Sequence, residues 1–294
     1  MSMLHVPRLM RRRSRAFLLA TTVLLTGAAP EKSQELVLGS AGGEPPIEAV
    51  ALPCKKGERA LRVRRGDAKR TATLSEDWDT LPCDVAKAGS PERSDAPRWD
   101  WSGGEEGTST ELRLRAVDLA GGPTALLITL QKGFDHVHRQ HALFVPHAEG
   151  VTRAWEGDEG MGPSYSSVEL HDGRLLFSKT LDTGLYGGED SADTWALTEV
   201  RWDAGRKKVV ERPAEAWGVF LRAEDSLSEA REAERPLQER CKDSALLVVE
   251  TNDFPRLTPD KWVVANFLPS REGAEAALKR LQACAPKAYV KRVQ

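Results

Sequence analysis

The chain has 294 residues, 40% hydrophobic and 29% charged, with a formal net charge of −2. That balance is ordinary for a folded globular protein and excludes a disordered or collagen-like chain. Five basic residues, Arg8, Arg11, Arg12, Arg13 and Arg15, fall in the first thirty; without them the remainder carries −7, which argues against a nucleic-acid partner.

Those arginines precede the apolar run Ala16–Leu25 and the small-residue exit Thr26-Gly27-Ala28. A basic head, a short apolar run and small residues at the exit predict a secretory signal peptide over residues 1–28. The run falls well short of the ~20 residues that span a bilayer, so no transmembrane span is expected after cleavage. The predicted destination is periplasmic or extracellular. In that oxidising setting the four cysteines, Cys54, Cys83, Cys241 and Cys284, read as disulfides. Three pairings are possible; Cys54–Cys83 with Cys241–Cys284 keeps each bridge inside one domain.

Residues 29–46 are rich in Gly, Ser, Pro and Glu and read as a flexible lead-in. From 47 to 222 the pattern predicts an antiparallel β domain. Ile47–Leu52 is a first strand, and Glu58–Val63 with Arg70–Leu74 flanks a Gly66-Asp67 turn. Ser75–Gly107 reads as a long loop holding Trp78, Trp99 and Trp101. Four hairpins then follow with turns at Ala120–Pro123, Pro146–Gly150, His171–Gly173 and Ala204–Arg206. A hairpin every ~25–30 residues predicts a meander built as a sandwich, an open barrel or a propeller-like array. The fold class is therefore mainly β, with a small α/β unit at the C-terminal end.

Several side chains within the β domain invite a functional reading. Trp99 and Trp101 alternate around Asp100, and paired indoles near a carboxylate can stack on sugar rings. His136, His138, His141 and His147 lie close together, with His136 and His138 on one side of an extended chain, where imidazoles could hold zinc or copper in a metal-binding periplasmic protein. Arg139 inside the group opposes a cation, and no H-E-x-x-H pattern supports one, so no cofactor is expected. Gly187–Asp193 gathers carboxylates but lacks the ligand spacing of a calcium loop. Nucleophile motifs and phosphate loops are absent. Loops such as Glu156–Glu159 and Glu189–Asp193 leave open a carbohydrate hydrolase that draws its acid and base from distant segments.

Residues 223–240 are dominated by Glu, Arg, Ala and Ser, and read as a helical linker between domains. In the last unit, 241–294, Ala245–Glu250 is a buried strand and Trp262–Leu268 another. Ser270 caps a helix whose stripe is Ala274, Ala277, Leu278, Leu281 and Cys284, and Pro286 stops it. A strand at Ala288–Val290 follows. The succession from Trp262 to Val293 resembles the first half of a SPOR domain, a bacterial envelope module that binds peptidoglycan glycan strands. The family's usual polar residue falls at Val264 and its usual glycine at Asn266. The resemblance implies glycan binding, with Trp262 and Asn266 as candidate contacts. The expectation overall is a non-catalytic exported protein that binds envelope glycan or an envelope protein.

Overall fold

The computed structural model describes residues 34–67, 70–74, 78–87, 98–104, 109–133, 137–158, 164–171, 174–182 and 191–294. The predicted signal peptide, His136, Glu159 and residues 187–190 lie outside them. Within the described residues the chain is mainly β, with four antiparallel sheets, none closed into a barrel, and two α-helices.

The first sheet runs β1 (Leu36–Ala41), β2 (Ile47–Ala51), β3 (Glu58–Arg65) and β4 (Thr80–Pro82) in order. The second has six strands: β5 (Ala86–Lys87), β6 (Arg98–Gly103), β7 (Ser109–Asp118), β8 (Thr124–Gly133), β9 (Val137–His147) and β10 (Gly150–Asp158). The third is β11 (Ser164–His171), β12 (Arg174–Leu181), β13 (Thr194–Asp203) and β14 (Lys208–Pro213). Each of these is a meander in sequence order, as the turn spacing predicts. Two segments differ from expectation. The lead-in contributes β1, and the stretch read as a loop contributes β4, β5 and β6. Both hid because the sequence in and around them is polar and rich in Gly and Pro, although each strand pairs with its neighbour in sequence.

The three sheets stack face to face in chain order. Leu38, Ile47 and Leu61 of the first meet Leu112, Leu126 and Phe144 of the second. On the second sheet's other face Val117, Leu127 and Val145 meet Leu175 and Val200 of the third. A strand buried on both faces is apolar throughout rather than alternating, and β8, reading TALLITLQKG, is buried at Ala125, Leu126, Leu127 and Ile128 in succession. Each such leucine contributes roughly 1.5–3 kcal/mol by leaving water. The outer face of the first sheet ends the stack in charge, with Arg64 bridging Glu35 at 2.7 Å and Glu48 at 3.0 Å.

The far end is closed by an α/β unit that starts earlier than expected. β15 (Trp217–Glu224) leads into α1 (Leu227–Cys241) and β16 (Leu247–Glu250); β17 (Trp262–Leu268), α2 (Arg271–Leu281) and β18 (Tyr289–Arg292) follow. The strand order β16-β17-β15-β18 makes a complete β-α-β-β-α-β unit. Two expectations are corrected here. The segment read as a linker, 223–240, holds the end of β15 and most of α1, which packs on the sheet through Ala230 and Leu237. The segment from Trp262 is the second half of a finished unit, not a first half, because β15, α1 and β16 supply the other half from upstream. Cys241–Cys284 ties the end of α1 to the turn after α2, and Cys54–Cys83 ties the β2–β3 loop to the connection between β4 and β5. Both are the intradomain pairs expected.

Candidate functional site

The second sheet is wider than the third that lies on it. Among the described residues, β6 and the Arg113–Arg115 stretch of β7 reach beyond the edge strand β11, and the face they turn toward the third sheet is lined with arginine. On β7 Leu112 and Leu114 point into the first core, so the intervening Arg113 and Arg115 point toward the third sheet. Cross-strand pairing sets Arg98 opposite Arg115, and aligns Asp100, Arg113, Thr129 and His141 in one row over four strands. Ser166 and Val168 of β11 form the opposing wall. The resulting cleft, about 280 Å³, is lined by four guanidiniums, those of Arg98, Arg113, Arg115 and Arg139, and by no carboxylate.

Part of this charge is matched by carboxylates on the same face of β6 and β7. Asp100 accepts from Arg98 at 3.1 Å, and Glu111 from Arg113 at 2.9 Å. Arg139 donates to the neutral Gln131 Oε1 at 2.8 Å and to the Ser166 carbonyl at 3.5 Å. The Nε of Arg115 is buried and has no hydrogen-bond partner among the described residues. An unmet buried donor is costly, and an oxyanion would meet it.

At the inner end His141 is 2% exposed. Its Nδ1 lies 2.9 Å from Thr129 Oγ1 and its Nε2 3.1 Å from Ser166 Oγ. Burial first, then the positive Arg139, bring its pKa down to about 4, with the Ser166 backbone pulling the other way and Arg113 adding the smallest push. The ring is thus neutral near pH 7. A serine beside a histidine raises the question of nucleophilic catalysis, but a base of pKa about 4 is too weak to activate a hydroxyl at neutral pH. Four guanidiniums around a neutral ring make a setting that favours an anion.

The residues singled out in the sequence lie elsewhere. Trp101 is 8% exposed and donates its indole N–H to the Leu38 carbonyl at 2.8 Å. Trp99 packs over Gly39, where even a Cβ would come within 2.8 Å of the ring. Both indoles therefore join the first core and do not offer paired faces to a sugar. Trp262 and Asn266 point to the helix side of their sheet; Asn266 donates to Asp243 at 3.1 Å, and Asp243 in turn binds Arg280 at 2.8 Å. His138 and His141 sit three apart on β9, hence on opposite faces, one exposed and one buried. The described residues contain no group of metal-ligating side chains. Of the carboxylates considered for hydrolysis, Asp193 has no exposed surface and is bonded to Arg231 and to the Val248 N–H, and Glu156 is held by Arg153 and Gln140.

The α/β unit's open sheet face is also occupied. Leu176 and Leu197 of the third sheet and Ala214 just beyond β14 cover it, and Trp195 stacks on Phe267 at 5.0 Å. What sequence reading missed was the cleft, although its signal was present: in Glu111–Ala116 leucine and arginine alternate, which puts two arginines on one face of a strand. Compared with known proteins, the chain matches no family model, no curated protein and no solved structure.

Proposed function

We propose that this is an exported, non-catalytic binding protein of the cell envelope, and that it holds carboxylate-bearing envelope material in the arginine cleft. The observation that carries this reading is a concave site of four guanidiniums with no acidic side chain in its wall. Planar guanidiniums pair with carboxylates through two parallel hydrogen bonds, and a partly enclosed site strengthens that attraction over an exposed one. The absence of a competent base beside Ser166 supports binding over hydrolysis. Glycan recognition by the C-terminal unit does not enter the reading, because a sheet face covered by another sheet offers a sugar no surface to stack on.

The test is retention of the processed protein on purified cell-wall sacculi and on immobilised poly-L-glutamate, at low and high salt. Wild type should be retained at low salt on at least one of the two and released as salt rises. The double variant Arg113→Gln, Arg115→Gln should lose about tenfold or more in affinity, since each charged hydrogen bond contributes roughly 1.5–3 kcal/mol. Equal retention of the variant, or none by wild type on either matrix, sinks the proposal.

A further inference from the structure

We infer that the cleft takes an extended acidic segment of a partner protein, added as a further strand on the edge of β11. The inference rests on the reading of the cleft as a carboxylate site and names the class of its ligand.

β11 ends its sheet, and among the described residues only β12 pairs with it. The Ser166 carbonyl accepts from Arg139, so it is directed away from β12 and into the cleft. In an antiparallel ladder the direction of the backbone groups repeats every second residue. The N–H and C=O of Val168 therefore face the same way as those of Ser166. Among the described residues no strand takes this edge, which leaves a template for one more strand, of the kind that peptide-binding sheets use.

A strand placed there would lie over the overhang of β6 and β7. Alternate side chains of that strand would point down at Arg113 and Arg115. On an extended chain residues i and i+2 are ~6.6–6.8 Å apart, and Arg113 and Arg115 are themselves two residues apart on a strand. Stacked sheets lie ~10 Å apart, a gap that an arginine from below and a glutamate from above can bridge together. The match is between two repeats: acidic residues at every second position, and arginines at every second position. The unmet Nε of Arg115 sits in this row. A free anion or an acidic oligosaccharide could satisfy the charge, but neither would use the backbone edge of β11. That edge favours a polypeptide.

The experiment uses the full processed chain and a short blocked peptide alternating glutamate with valine, followed by fluorescence anisotropy. A second peptide carries N-methyl groups on the amides that would face β11, and a third probe is an oligogalacturonate of similar charge. Binding of the first peptide, weakened about tenfold or more by N-methylation and likewise by Arg113→Gln with Arg115→Gln, supports strand addition. Equal binding of the N-methylated peptide overturns it while leaving the carboxylate cleft intact. Binding of oligogalacturonate alone overturns it in the same way and makes the ligand a glycan. Failure of all three probes to bind removes the cleft reading together with the inference.

Discussion

His141 is buried neutral, and this has a measurable cost in acid. Its pKa is about 4 in the folded chain against 6.5 for the free side chain. Between those values the unfolded chain binds the proton that the folded chain refuses, so stability rises with pH. The contribution is fully present above about pH 6.5 and is lost as pH falls toward 4, amounting to roughly 3 kcal/mol for this one group. Urea unfolding from pH 7 to pH 4 should show that slope, and His141→Gln should flatten it. A wild-type profile no steeper than the variant's would mean the imidazole protonates without penalty. At this scale the cysteines were legible and the arginines were not. An even set of cysteines behind an expected export signal reads as disulfides, and two bridges are present. Arg113 and Arg115 read as a strand's ordinary solvent face, and only the unequal widths of two stacked sheets turn that face into a wall.

α1 shows how an element can be visible in sequence while its role stays hidden. Leu227, Ala230, Glu234, Leu237 and Cys241 make one stripe, but its middle position is an acid. The helix therefore looks solvated. In the structure Glu234 is buried and bonded to Arg231 at 2.8 Å, and Arg231 also grips Asp193 at the head of β13. Burial pushes the Glu234 carboxyl up, against the pull of Arg231. Asp193 accepts from the Val248 N–H at 2.7 Å, while its own N–H donates to the Val248 carbonyl, so it seals the edge of β16. Replacing Arg231 by Met leaves two buried carboxylates facing each other and should cost about 3–5 kcal/mol. The triple change Arg231→Met, Asp193→Asn, Glu234→Gln should recover a large part of that loss in denaturant unfolding. Destabilisation no greater than about 1 kcal/mol for Arg231→Met would show the cluster to be dispensable.

On the scale of the whole molecule, four sheets and a helix layer share their cores in series. The α/β unit expected from 241 begins already at β15, which lies in the middle of the last sheet, and Phe220, Val263 and Phe267 of that unit pack under the third sheet. Composition shifts mark where a chain becomes polar, not where it stops being packed, which is why the hairpins were legible and their stacking was not. A chain ending at Pro213 would bare Leu176, Leu197 and Trp195. It should bind the dye ANS strongly and aggregate, whereas the full chain should do neither. A monomeric, dye-silent fragment would restore the expected domain division.

The position of β18 beside β15 imposes a timetable. β15 can pair with β17 as soon as both have been delivered, but its other side stays bare until Tyr289–Arg292 arrive. For a chain that is threaded out head first, the N-terminal sheets can settle against one another early, while the last sheet waits with an unpaired edge. The interval between those two events is when this molecule is most exposed to its neighbours. A pause or truncation in the final residues would prolong that interval.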